Sequence, residues 1–315
     1  MLNLDARERV VDLVVVPSPY GAYHGAPKRP EIFFDRSYCI YDDLWLADFD
    51  GDFVDAVMDA CSPRGENFNP VRQYGGPYGF IRVNAPEIGT YRFDADGRLA
   101  VCVGLSRLAF PTSVGFQYAA RIRTPNTGAR IIAPMRPTNL NPCAFVSDEQ
   151  SNWLIPDDVP LIRRLVESYF TNKPTARISS ALWQFETAYR SYYVDTRWPL
   201  LVTGLEALVH IRGERDPKHP TRHAGSTRVF AQRLALIAER VGQPSATESV
   251  LRIIYDRRST LVHGQGLGQL DQTTRELYDA TEQLLAGVLR SALLEPEFSA
   301  LFASDATIQT AFALS

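Results

Sequence analysis

The chain has 315 residues, 45% of them hydrophobic, with 33 Lys and Arg against 36 Asp and Glu and a formal net charge of -3. This is enough for two domains or one large one. The slightly acidic balance excludes a protein that coats nucleic acid by bulk charge, and leaves room for a local basic groove. Cys39, Cys61, Cys102 and Cys143 stand far apart with no C-x-x-C pair, which argues against zinc and for a reducing cytosol. No signal-peptide pattern opens the chain. The run Val10 to Val16 is too short for a membrane span and contains Asp12. The expectation is a cytoplasmic protein with no membrane partner and no bound metal.

From Val10 to about Pro142 the pattern is strand-like. Val11 to Val16 is short and β-branched, and Pro17 follows it. Glu31 to Phe34 and Tyr38 to Tyr41 come next, with polar turns between. Phe53 to Cys61 reads as one short helix. Thr90 to Phe93 and Leu99 to Val103 flank Asp94-Ala95-Asp96-Gly97, a hairpin signal. A second hairpin is expected where Gln117 to Ile122 and Arg130 to Ile132 flank Pro125-Asn126-Thr127-Gly128. Tyr74 to Phe80 is a Gly/aromatic turn that could stack a base but more often simply packs.

One segment in this half looks catalytic. Leu44 to Gly51 ends in Asp48-Phe49-Asp50-Gly51 and resembles the first motif of haloacid-dehalogenase-type phosphatases. There, one Asp attacks phosphorus and both hold magnesium. Two features oppose it. Asp52 stands where Thr or Val is usual, and the alternating β and α units that the fold needs do not follow. Asp48, Asp50 and Asp52 also have part of the spacing of a calcium loop, but Gly51 is misplaced for one. A solvated acidic turn accounts for them.

The character changes near Trp153 to Pro156. Asp157 and Asp158 can cap a helix carrying Leu161, Leu165 and Tyr169, and Pro160 suits its first turn. A second helix is expected from Ala176 to Tyr193, with Ile178, Leu182, Phe185 and Tyr189 on one face. A third, which Asp195 can cap, carries Trp198, Leu201, Leu205 and Leu208 to about Ile211. Within it lies Leu205-Glu206-Ala207-Leu208. A glutamate among core positions is costly to bury without a cation, so Glu206 is expected to pair with Arg257 or Arg258.

Arg212 to Arg222 is a charged loop with Pro217 and Pro220. From Arg212 to Arg240 there are seven Lys and Arg, namely Arg212, Arg215, Lys218, Arg222, Arg228, Arg233 and Arg240, against Glu214, Asp216 and Glu239. This is the most basic part of the chain. Arg212, Arg215, Lys218 and Arg222 could steer RNA, or the loop could be merely solvated. His219 and His223 have a metal-ligand spacing that works on a helix, which the two prolines oppose. A fourth helix is expected from Ser226 to Val241, with Val229, Leu234 and Ile237 inward. A fifth runs from Glu248 to His263, and a last long one from Asp271 to Leu294 with Leu277, Leu284, Leu285 and Val288 as its stripe. Phe298 to Ser315 could dock or fray.

The fifth helix closes on Arg257-Arg258-Ser259-Thr260-Leu261-Val262-His263-Gly264. Arginine's fork stays charged and fits a phosphate, and histidine exchanges protons near neutrality. Arg258 and His263 are five positions apart, roughly 140° around a helix, so one straight helix does not align them. Gly264 marks a C′ cap. His263 then sits in the last turn, where the helix dipole favours its cationic form.

Arg-Ser-x-x-Val-His-Gly, the Leu-Glu-Ala-Leu segment before it and the order of helices together resemble the HEPN superfamily, most closely its Apea-like branch. The resemblance covers Trp153 to about Leu294. It implies a metal-independent ribonuclease needing no cofactor, whose catalytic residues are Arg258 and His263, supported by Arg257, Ser259 and Glu206. It implies a homodimer with two Arg/His pairs facing across a cleft, RNA as partner, and a setting in prokaryotic antiviral defence. A non-catalytic HEPN dimer that binds RNA, nucleotide or protein is the alternative. The fold class expected is α+β: a mostly-β domain over 1–150, of recognition or regulatory role, then an all-α HEPN-like helical bundle over 151–315.

Overall fold

The computed structural model describes residues 9–16, 34–48, 78–83, 97–109, 118–124, 131–134, 154–191, 193–219, 221–264, 266 and 271–314. These are mostly helical, with one antiparallel sheet in the first half. Two compact units divide the chain, Met1–Glu167 and Ser168–Ser315. The expected edge at 150–151 lies outside the described residues.

The β-branched run near the start forms β1 (Arg9–Val16), which suits a pleated strand. It is followed by β2 (Tyr38–Tyr41), β3 (Leu44–Asp48) and β4 (Tyr78–Val83), then by α1 (Arg98–Ala109), β5 (Tyr118–Thr124) and β6 (Ile131–Pro134). The strands make a six-stranded sheet in the order β2-β3-β4-β1-β5-β6. β1 pairs antiparallel with β4, from Val11 opposite Val83 to Val16 opposite Tyr78, and with β5 from Arg9 opposite Thr124 to Val15 opposite Tyr118. β2 and β3 form a hairpin whose turn places Asp42 at φ 48°, a region that Asp tolerates better than most residues. Arg98, at the head of α1, reaches Asp43 of that turn at 3.3 Å.

The hairpin expected across Pro125 to Gly128 forms as β5 and β6. The one expected across Asp94 to Gly97 does not. Leu99 to Val103 is the first part of α1, and Leu99, Cys102, Val103, Leu105 and Leu108 are all buried. An apolar run buried on nearly every side has the same look in a strand and in a core helix. Continuation of the run to Ala109, longer than most strands, is what marks it as a helix.

The phosphatase reading, already opposed by the sequence, fails on topology as well, and Asp48 ends a strand rather than lying in a solvated turn. β3 pairs antiparallel with β2 on one side and β4 on the other, whereas that fold needs a parallel sheet with helical crossovers. Asp48 Oδ2 accepts the backbone N–H of Phe34 at 2.7 Å, which is a structural task. Asp50, Asp52, the helix expected over 53–61 and most of the Gly/aromatic turn lie outside the described residues.

A 3₁₀ turn at Pro156–Asp158 leads into α2 (Val159–Asn172). Asp158 accepts the Ile155 N–H at 2.9 Å, and its burial pushes its carboxyl above the usual range. The second unit then holds α3 (Ala176–Arg190), α4 (Val194–Val209), α5 (Ser226–Arg240), α6 (Glu248–Val262), α7 (Gln272–Leu294), α8 (Pro296–Ala300) and α9 (Asp305–Ala311). Thr175 caps α3 through the Ile178 N–H. The cap position of α4 is Tyr193, and Asp195, expected there, lies in the first turn. Its charge favours that end without a cap bond.

α4 is the central helix and packs against α3, α5, α6 and α7. Trp198, Leu201, Leu205 and Leu208 are fully buried on it. Gly204 permits the close approach: a Cβ there would lie 2.8 Å from Leu285 Cδ2 and 3.4 Å from the Ala181 carbonyl. Gly204→Val should therefore cost about 1–3 kcal/mol by overpacking, read as a lower denaturant midpoint. An unchanged midpoint would mean that α3, α4 and α7 do not close on this glycine. The C-terminal segment docks: Phe298, Phe302, Ile308 and Phe312 are buried. Among the described residues no helix is long and apolar enough to cross a membrane.

Candidate functional site

α6 begins at a Thr247 cap, whose side chain accepts the Val250 N–H. Leu251 and Ile254 are its buried positions. Tyr255 and Arg258 come one and four residues after Ile254, so they lie beside that stripe and at its edge. Both meet Glu206 of α4. Arg258 Nη2 donates to Glu206 Oε2 at 3.1 Å, and the Tyr255 hydroxyl donates to Glu206 Oε1 at 2.9 Å. One carboxylate thus holds two side chains of α6. The Arg258 and Glu206 side chains are 25% and 22% exposed, so the pair is neither buried nor fully solvated.

Tyr255 has an aromatic floor in Phe230, with ring centroids 5.0 Å apart. The Arg258 guanidinium lies 5.8 Å from the centre of the Tyr255 ring, within reach of a cation–π attraction. Burial, then the charge and hydrogen bond of Glu206, push the Tyr255 phenol above its usual range, with Arg258 and Ser226 opposing. The phenol therefore stays a donor. Arg258 Nε is buried and has no partner among the described residues.

His263 is the C-cap of α6. Its backbone N–H reaches the Ser259 carbonyl at 3.1 Å, and the Gly264 N–H reaches the Leu261 carbonyl at 3.0 Å. Gly264 has φ +80°, a conformation that favours glycine and ends the helix there. The His263 side chain is exposed and has no polar partner among the described residues. Ser259, four positions earlier, is half-buried and shares its helix face. Arg258 instead turns toward α4. The arginine and histidine of one chain therefore leave α6 on different faces.

Arg257 is exposed and lies close enough to Asp271 to act on it. Asp271 caps α7 by accepting the Thr274 N–H at 2.7 Å. Hydrogen bonds from Thr274 hold its carboxyl below the usual range, and Arg257 adds to the effect. A depressed folded value gives stability above the unfolded range that is lost as pH falls through the folded one. Asp271→Ala should therefore melt below the wild type at neutral pH, and the gap should close in acid. A gap that persists in acid would show that the charge contributes nothing.

Arg212, Arg215, Lys218 and Arg222 are all exposed. Three other cations of the basic stretch are engaged. Arg233 is 1% exposed and bonds Glu214, Arg228 pairs with Asp216 at 2.8 Å, and Arg240 lies 5.0 Å above the Phe312 ring. Arg233 therefore belongs to the core and not to a steering surface. Its place in line with Val229 and Ile237, four residues to either side, was the available signal. Arg197 was also hidden: it is fully buried, donates to Glu282 at 3.2 Å and lies 4.9 Å from the Tyr189 ring. Burial pushes the Glu282 carboxyl up, against the pull of Arg197.

Among the described residues no three His, Cys, Asp or Glu side chains gather as a metal-binding group. Comparison with protein-family models, with curated proteins and with solved structures returns no match.

Proposed function

We propose that the chain is a metal-independent endoribonuclease of the HEPN type, with residues 151–315 as the HEPN-like bundle. The observation that supports this best is the pairing of Glu206 with Arg258, next to a helix end that presents His263 to solvent. Arg258 neutralises the scissile phosphate as charge builds on it. His263 acts as general acid or base toward the 2′-hydroxyl or the leaving 5′-oxygen. The nucleophile belongs to the substrate, so the attack needs no metal and no cofactor. Glu206 orients Arg258, and Arg257 and Ser259 support the pair. One chain turns its arginine and histidine to different helix faces, and a second copy completes the site as a homodimer. The setting is cytoplasmic, in prokaryotic defence against invasive RNA.

The test is incubation of purified protein with a mixed RNA pool in EDTA, beside Arg258→Ala/His263→Ala. Wild type alone should cut, leaving 2′,3′-cyclic phosphate and 5′-hydroxyl ends. Cleavage that needs magnesium, or that survives the double substitution, would sink the mechanism.

One observation favours the alternative, a dimer that binds RNA, nucleotide or protein without cutting. Glu206 already takes up part of the charge of Arg258, which weakens it as a phosphate clamp. In that case RNA stays intact with or without His263, and binding falls with Arg257→Ala or Arg258→Ala.

A further inference from the structure

We propose that the connection from α4 to α5 is a pre-folded cationic platform that seats the phosphodiester backbone of single-stranded RNA. This deepens the ribonuclease reading and rests on it for the choice of RNA.

In sequence, residues 210–223 mix four Lys and Arg with Glu214 and Asp216. Such a mixture would present little net field. Folding separates the signs. Arg233 rises from the core of α5 and takes both oxygens of Glu214, at 2.5 and 2.8 Å. Arg228, five residues earlier, takes Asp216 Oδ2 at 2.8 Å. Asp216 Oδ1 accepts the Lys218 N–H at 2.8 Å, and that bond, with the charge of Arg228, holds its carboxyl below the usual range. Both acids are thus turned inward and neutralised by cations of α5. Arg212, Arg215, Lys218 and Arg222 remain outside, and among the described residues none has a carboxylate within ion-pairing distance.

The segment is also held in shape. Arg177 takes the Ala207 and His210 carbonyls at 3.0 and 2.8 Å, and Arg233 takes the Val209 carbonyl at 2.8 Å. Arg215 and His223 form an isolated antiparallel bridge. The Asp216 N–H reaches the Arg222 carbonyl at 3.0 Å, and the Ala224 N–H reaches the Glu214 carbonyl at 3.0 Å. The cations therefore stand on two stretches of chain hydrogen-bonded to each other, which lowers the cost of fixing them on binding. Three of the four are arginines, whose flat forks suit phosphate oxygens. His219 and His223 are exposed among them and offer faces on which bases can stack.

The experiment is fluorescence anisotropy of a labelled 2′-O-methyl RNA oligonucleotide with the full chain. The probe lacks the 2′-hydroxyl and cannot be cut by the proposed mechanism. Wild type should bind with a log–log salt slope close to -3, from about -0.7 for each of four phosphates. Affinity should thus fall roughly 50-fold between 50 and 200 mM salt. Arg212→Ser/Arg215→Ser/Lys218→Ser/Arg222→Ser should lose at least about tenfold in affinity and most of that slope, while melting like the wild type. Arg164→Ser/Lys173→Ser/Arg275→Ser, which removes exposed cations elsewhere, should bind as the wild type does.

Equal binding by the fourfold variant, or equal loss in the control variant, would overturn the platform. So would a wild type that ignores the RNA, or one that takes polyglutamate in its place and so serves an acidic protein. The two readings fail separately. Cleavage of ordinary RNA with an unaffected fourfold variant leaves the ribonuclease and removes the platform. Loop-dependent binding without cleavage does the reverse.

Discussion

Cleavage of RNA in EDTA should fall about 10²–10⁴-fold in His263→Ala, the range that a positioned general acid or base contributes. Its fold should be intact, because His263 closes α6 through its backbone N–H and its side chain is exposed. Arg258→Ala should lose a comparable amount, since a donor aimed at developing charge is worth about 10²–10³-fold. The informative variant is Glu206→Gln. Glutamine can keep its carbonyl oxygen toward Tyr255 or Arg258 but not a carboxylate toward both. If Glu206 only orients Arg258, Glu206→Gln should reduce kcat far less than Arg258→Ala does. Glu206→Ala should then be worse than Glu206→Gln, because nothing remains to hold either partner. Equal rates in Glu206→Ala and wild type would remove Glu206 from the mechanism. Higher rates in Glu206→Ala would show that the carboxylate restrains the arginine and does not aim it.

The largest stability effect is expected at Arg233 and Glu214. Arg233 uses its fork on Glu214, on the Val209 carbonyl and on the Phe312 carbonyl at 3.1 Å. It thereby ties the end of α4, the following loop and the C-terminal segment to α5. Glu214→Leu leaves a guanidinium buried without its counter-ion and should cost about 3–5 kcal/mol. Arg233→Met leaves a carboxylate and two carbonyls without donors and should cost a similar amount, about 3–5 kcal/mol. The double variant Arg233→Met/Glu214→Leu should lose less than either single change alone would suggest, because no charge is then stranded. Chemical denaturation followed by the fluorescence of Trp198 and its neighbours reads these shifts. Strict additivity of the two single costs would mean that the pair does not act as a unit.

Helix content and order in the second unit were legible in the sequence because amphipathic spacing is local. Trp198, Leu201, Leu205 and Leu208 recur on one face, and the fold buries all four. The end of α6 was legible for the same reason: Gly264 allows the left-handed turn that His263 precedes. Leu99 to Val103 shows where local pattern fails. An apolar run buried on nearly every side carries little period, so only its length separates strand from helix.

Local sequence thus carried the six long helices between Val159 and Leu294, the glycine that ends α6, and the side-chain types whose chemistry suits phosphate and proton transfer. The tertiary structure decided the pairings. It joined Glu206 to Arg258 and Tyr255 rather than to Arg257, and it drew Arg233 and Arg228 out of a basic stretch to cancel Glu214 and Asp216. The physical reason is range. A cap or an amphipathic stripe is settled within a turn or two of chain. A charge buried between helices takes whichever opposite charge the packing brings within reach, and neither partner carries that information alone.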